Sequence, residues 1–251
     1  MRIAIYGDSF GVSSESLDTS WFSILSNKLK YNIDNYSISG SSLYVSYTKF
    51  IETCNNYDFV IFLVTEPNRY PVEIDFSQAI PKGYRHIPSL GMLDWVRQDA
   101  HRLLSKLDTQ LLSDVEGWYK ASDEQYNSIV QQLFLEKIRL THNNVILYPC
   151  FSSSLPLEMM NTEKLDVRYA LFNLVMDQLN KLGFKPTHDS ITNAIVNENL
   201  SVISGHLTPE FNAFVANLMY VKISTGEWNY EGYDEVQLMH TKEHYYNRMK
   251  Q

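Results

Sequence analysis

Apolar residues collect in three short unbroken runs, Ile3 to Tyr6, Phe59 to Val64 and Val145 to Tyr148, each bounded by turn-forming or polar residues. Runs of this length, rich in β-branched and aromatic side chains, predict strands buried on both faces. A weaker stretch, Asn35 to Ile38, predicts a fourth strand. Between the runs the apolar positions recur at helical spacing. Trp21, Ile24, Leu25 and Leu29 form one stripe, and Leu43, Val45, Tyr47 and Phe50 a less regular one. Leu103, Leu104, Leu107, Leu111 and Leu112 form a third, and Ile129, Val130, Leu133, Phe134 and Ile138 a fourth. A fifth runs through Leu165, Tyr169, Phe172, Val175, Met176 and Leu179 and ends at Gly183, a suitable C-cap. The sixth has Thr208 as N-cap, Pro209 at the first helical position, and Phe211, Phe214, Val215 and Leu218 on its apolar face.

Strands alternating with helices predict right-handed crossovers and an α/β fold: a central, mostly parallel sheet with helices on both faces, a three-layer α/β/α (flavodoxin-like) sandwich. Residues 66 to 93 interrupt the pattern with four prolines and two glycines. They leave the third run directly and are expected to hang over the carboxyl edge of the sheet. Residues 1–225 are read as one α/β domain. Residues 226–251 are read as an aromatic-rich extension, with a helix near Val236 to Met249 that packs on the body or on a partner, a second copy or a larger assembly.

Composition narrows the function classes. The 251 residues are 44% hydrophobic and 20% charged, so a full core is available. A net charge of −8 without any Lys/Arg cluster argues against nucleic acid. Cys54 and Cys150 are too few for a disulfide framework and read as reduced thiols. With the first strand starting at Arg2, no signal peptide is expected; no apolar run reaches transmembrane length, and a cytoplasmic location without membrane contact is expected. His86, His101, His142, His188, His240 and His244 show no metal-ligand spacing, so neither metal nor cofactor is expected.

The candidate chemistry lies at the two ends of the chain. The first run enters Gly7-Asp8-Ser9-Phe10-Gly11, which mounts a serine at the carboxyl end of a buried strand, where ligands bind in open α/β folds. Near the other end, Ser-Gly-His-Leu-Thr-Pro-Glu places His206 just before a helix start. A serine and a histidine in two loops suggest a hydrolase in which the histidine takes the serine proton. Asp8 reads more simply as a turn-stabilising carboxylate than as a catalyst.

Four segments in order, Gly7-Asp8-Ser9, Ser37-Ile38-Ser39-Gly40-Ser41-Ser42, Thr65-Glu66-Pro67-Asn68 and His206-Leu207-Thr208-Pro209-Glu210, resemble the SGNH (GDSL-like) hydrolases, a family of esterases, lipases and carbohydrate deacetylases. The resemblance implies Ser9 as nucleophile, His206 as general base, and the N–H groups of Ser9 and Gly40 with the Asn68 amide as oxyanion donors. It also implies a small-molecule or carbohydrate ester as substrate. Asp8, Phe10, Thr65, Glu66 and Arg69 are candidate pocket residues.

Two positions depart from the family pattern. Its third block is usually Gly-x-Asn-Asp, where this chain has Thr-Glu-Pro-Asn-Arg. Its acid stands three residues before the histidine, where this chain has Ile203. Isoleucine cannot accept a proton from imidazole. A backbone carbonyl orients His206 instead, or Asp189, Glu198 or Glu210 substitutes, or the site no longer turns over. The alternative to an esterase is therefore a binding or structural protein that keeps the fold, for example a component of a virus particle.

Overall fold

The computed structural model describes residues 1–12, 20–38, 41–67, 124–150, 155–166, 168, 170, 171, 174 and 209–231. Four strands, β1 (Ile3–Tyr6), β2 (Ile33–Asn35), β3 (Phe59–Val64) and β4 (Val145–Pro149), form one sheet in the order β2-β1-β3-β4. β1 pairs with β3 and β3 with β4, both in parallel, with Tyr6 opposite Phe62 and Phe62 opposite Leu147. The class is the expected one, a parallel sheet flanked by helices as in three-layer α/β/α proteins. The chain divides into two compact units, Met1–Val12 with Asp34–Pro156 and Ser13–Ile33 with Leu157–Gln251.

In the first unit, every residue of β1 is buried, as are Val60 to Val64 of β3 and Ile146 to Pro149 of β4. Helix α2 (Leu43–Thr53) is N-capped by Ser42, whose Oγ accepts from Val45 N. It sets Phe50 on the sheet, where the ring meets Tyr6 and Phe62 edge-on at centroid distances of 5.5 and 5.9 Å. Helix α3 (Glu124–Thr141) lies beside α2, with Phe134 against Tyr44 and Tyr47. Each aromatic pair adds about 0.5–1.5 kcal/mol beyond its buried area.

Two sequence expectations shift here. The fourth strand lies at Ile33–Asn35 rather than Asn35 to Ile38, although Tyr36 N and Ile38 N still donate to Ile5 O and Gly7 O of the β1 side. The chain thus follows β1 past the end of regular pairing. The buried face of α3 is Asn127, Gln131, Leu135 and Ile138, while Ile129 and Leu133 of the expected stripe are exposed. The apolar spacing gave the right element and part of its inner face, with Ile138 buried and Phe134 on α2, but it overlooked the two polar residues that face inward near the N-terminal end.

In the second unit, α1 (Trp21–Leu29) is N-capped by Ser20, which accepts from Ser23 N, and ends at Lys30 in the left-handed conformation. It packs on α5 (Pro209–Thr225), burying Trp21, Phe22 and Leu25 together with Phe211, Phe214, Val215, Leu218 and Met219. The N–H of Trp21 is one of the donors a helix start leaves without an intrahelical partner; Asn212 Oδ1 accepts it at 3.0 Å. Lys28 reaches Asn217 and the ring of Tyr220. A short helix, α4 (Leu157–Glu163), was not visible in the apolar spacing. Most of the third and fifth expected helices, Thr208, Gly183 and residues 232–251 lie outside the described residues. Among the described residues no helix is long and apolar enough to cross a membrane.

Candidate functional site

The strand order fixes where a site belongs. From β1 the sheet grows outward to β2 on one side and to β3 and then β4 on the other, so the order reverses between β1 and β3. In open parallel sheets the crevice outside the carboxyl ends at such a reversal is the ligand site. The segments leaving those ends here are Gly7–Gly11 and Thr65–Pro67.

The turn after β1 is held from several sides. Ser9–Gly11 form a single 3-10 turn. Asp8 is fully buried; its Oδ1 accepts from Phe10 N at 3.1 Å and from Cys150 Sγ at 3.4 Å, while its carbonyl accepts from Gly11 N at 3.0 Å. The two N–H groups after Ser9 are thus folded back onto Asp8, and Ser9 stands at the start of the turn. Gly7 O accepts from Ile38 N, Ser41 Oγ and Ser46 Oγ at 3.0, 2.9 and 3.3 Å. Asn35 Nδ2 donates to Gly11 O at 2.6 Å.

Two glycines are required by close approach. A Cβ on Gly7 would overlap the Cβ of Leu63, its neighbour on β3, and one on Gly11 would overlap the Oγ and Cβ of Ser37. Bare backbone at both places lets the turn lie flat against β3 and the segment after β2.

The end of β3 is held by α3. Gln131 Nε2 donates to Thr65 O at 3.1 Å, and both residues are buried. Asn127 lies one helical turn earlier on the same buried face. Glu66 and Pro67 are half-buried. Among the described residues, no three His, Cys, Asp or Glu side chains are placed to hold a metal ion.

A second polar cluster involves Tyr6 and the residues after β2 and α2, and its phenols serve structure. Burial pushes Tyr6 up to about 12, and its hydroxyl pairs with Thr53 Oγ1 at 2.8 Å. Burial likewise raises Tyr57, which donates to Asp34 Oδ2 at 2.7 Å and meets the Tyr36 hydroxyl at 2.6 Å.

Of the residues singled out from sequence, Asp8, Ser9 (backbone), Phe10, Thr65 and Glu66 follow the carboxyl ends of β1 and β3. The Ser9 side chain, Gly40, Asn68, Arg69, Ile203 and His206 lie outside what is described. The sequence reading missed Cys150, Gln131 and Asn127. Strand register contains the signal for Cys150: Val64 is opposite Pro149, so Cys150 emerges beside the end of β3, and it donates from its N–H to Val64 O at 2.8 Å.

No family model matches the chain, and no curated protein matches it. Among solved structures, the chain is similar to an acetyl xylan esterase, AlAXEase, at 15% identity and a TM-score of 0.32, over 89% of this chain and 100% of that one.

Proposed function

We propose that the protein is a serine esterase of the SGNH kind, cleaving a small acyl ester such as an acylated carbohydrate, with Ser9 as nucleophile and His206 as general base. The observation that carries the reading is the placement of Ser9. It opens a tight turn at the carboxyl end of a central strand, at the reversal of strand order, on a carboxyl-buttressed backbone. A nucleophile needs that rigidity, because a misplacement of about 1 Å can cost ~100-fold in rate.

In this reading His206 takes the Ser9 proton as the hydroxyl attacks the ester carbonyl, then returns it to the leaving alcohol. The N–H groups of Ser9 and Gly40 and the Asn68 amide receive the negative charge on the former carbonyl oxygen. Water then hydrolyses the acyl-serine with His206 as base. Ile203 stands where the family carries its acid, so no carboxylate three residues upstream stabilises the imidazolium. Turnover is accordingly slow and is seen best on activated esters.

The test is hydrolysis of p-nitrophenyl acetate by the parent chain, Ser9→Ala and Ile203→Asp. Ser9-dependent turnover, raised in a folded Ile203→Asp, is the expected result. Parent activity equal to that of Ser9→Ala, with no gain from Ile203→Asp, would favour a binding or assembly protein on the same fold, a reading that Ile203 itself motivates.

A further inference from the structure

We infer that Cys150 is a positioning residue for Ser9: its thiol holds the Asp8 carboxyl group from outside the turn, and through Asp8 it fixes the backbone on which Ser9 is mounted. The consequence for rate rests on the esterase reading; the hold on the turn does not.

The donors that reach Asp8 Oδ1 come from different parts of the chain. Phe10 N, at 3.1 Å, belongs to the turn itself and moves with it. Cys150 Sγ, at 3.4 Å, comes from 142 positions further along, just past the end of β4. In the order β1-β3-β4 the outer two strands lie two spacings apart, about 10 Å, so the thiol and the carboxyl group meet across the end of β3. Cys150 takes its own place from the sheet and not from the turn. Val64 lies opposite Pro149, and Cys150 N donates to Val64 O at 2.8 Å, which pins the cysteine backbone to the strand in between. Both Asp8 and Cys150 are completely buried.

That arrangement gives the carboxyl group an anchor that the turn cannot supply for itself. An oxygen held only by the Phe10 N–H follows the turn as it opens; an oxygen held from β4 as well resists that movement. Gly11 N closes the turn on the Asp8 carbonyl at 3.0 Å, so the side chain and main chain of Asp8 together set where Ser9 begins. Cysteine suits position 150 on two counts. It packs as a small apolar side chain after an apolar strand, and it still brings a donor, although a weak one. Valine there would keep the apolar packing and lose the donor, whereas serine would keep the donor and lose the apolar character. Packing and positioning therefore rank the two substitutions in opposite orders.

The experiment compares Cys150→Ser, Cys150→Val and Cys150→Ala in the full chain, alone and combined with Asp8→Ala. On p-nitrophenyl acetate, Cys150→Val and Cys150→Ala are expected to lower kcat about 3- to 10-fold with KM unchanged, the scale of one weak hydrogen bond, and Cys150→Ser to keep most of the rate. In the Asp8→Ala background Cys150→Val is expected to cost nothing more, because the group it acts through is gone. Cys54→Ala, at the other buried cysteine, which follows α2, is the control and is expected to leave kcat unchanged. Hydrogen exchange of the Phe10 amide reads the turn without any turnover. It is expected to be about 3- to 10-fold faster in Cys150→Val and parent-like in Cys150→Ser. Alanine, which cannot overpack, carries the comparison where valine disturbs folding.

The two ideas fail separately. Faster Phe10 exchange in Cys150→Val, with no further gain on top of Asp8→Ala and no Ser9-dependent turnover, retains the positioning role and removes the esterase. Ser9-dependent turnover that falls as far in Cys150→Ser as in Cys150→Val, or that falls again on top of Asp8→Ala, overturns the positioning role, because the thiol would then act by packing. Phe10 exchange unchanged in both Cys150→Val and Cys150→Ala overturns it as well, whether or not the chain turns over esters.

Discussion

Replacing Asp8 by alanine should loosen the turn that carries Ser9, and the size of the effect follows from two contacts and the volume removed. Asp8 has no exposed surface. Without Oδ1, the N–H of Phe10 loses its acceptor in a place where Phe10 itself is buried; an unsatisfied buried donor costs about 1–3 kcal/mol. The Cys150 thiol, a weak donor, loses its partner at 3.4 Å for a smaller penalty. The truncated volume adds about 1 kcal/mol of lost contact, so the total is ~2–4 kcal/mol. In a chain of this size each kcal/mol moves the melting temperature by about 2–4 °C. Asp8→Asn keeps an oxygen where Phe10 N needs one and should cost ~1 kcal/mol.

The functional consequence separates the two variants further. The Phe10 and Gly11 N–H groups both end on Asp8, so Asp8→Ala frees one of the two bonds that fix Ser9 at the start of its turn. On the esterase reading proposed above, this should lower kcat on p-nitrophenyl acetate by about 100-fold with little change in KM, since Ser9 would be misplaced while substrate binding would not change. Urea unfolding followed by fluorescence gives the stability difference, and initial rates give the kinetic one. Equal stability of Asp8→Ala and the parent, or an Asp8→Asn as costly as Asp8→Ala, would refute the buttress.

Three other outcomes test the packing. Gly7→Ala should cost about 1–3 kcal/mol or more by overpacking, and Leu63→Ala should fail to rescue it, because the overlap is with the Leu63 Cβ that alanine retains; rescue in denaturant melts would place the conflict elsewhere. Asn212→Ala should remove the acceptor that caps the Trp21 N–H and lower stability by about 1–2 kcal/mol, while Asn212→Asp, which keeps the acceptor, should lower it less in the same melts. Tyr6 is raised by burial from 10.0 to about 12, so the unfolded chain ionises first: its contribution is complete below pH 10 and is lost as pH rises towards 12. Alkaline unfolding scans should therefore show less loss of stability over that interval in Tyr6→Phe than in the parent, and an identical slope would remove Tyr6 as the cause.

The parts of the fold legible in sequence are those decided by local pattern. β1, β3 and β4 are apolar on both faces, so each is visible as an unbroken run whatever its neighbours do. The start of α5 at Pro209 is visible because a proline at the first helical position sacrifices only an N–H that the helix leaves unpaired anyway. What was misread depends on the sheet edge. Asn35 to Ile38 read as a strand, yet only the carbonyls of Ile5 and Gly7 decide how far that segment follows β1. The expected α3 stripe holds at Phe134 and Ile138 and fails at Ile129 and Leu133, which are exposed, because the inward face must also supply a donor to the carbonyl that β3 leaves open at Thr65.

The same distinction applies to the site. That a Gly-Asp-Ser turn ends the first strand could be read from nine residues. That Asp8 steadies the turn could be read there too; that Cys150 is one of its partners could not, because β4 pairing on the far side of β3 brings the thiol to it. Gly7 and Gly11 look alike in sequence, and each is bare for a different reason: one faces a neighbouring strand, the other the segment after β2. A turn of this kind is therefore specified twice. Its local sequence chooses the hydrogen bonds inside the turn, and the register of three strands decides that a carboxyl group, a thiol and two missing side chains coincide around it. A substitution that respects the motif but disturbs the register, such as a bulkier residue opposite Gly7, should disable the turn as fully as one that removes Asp8.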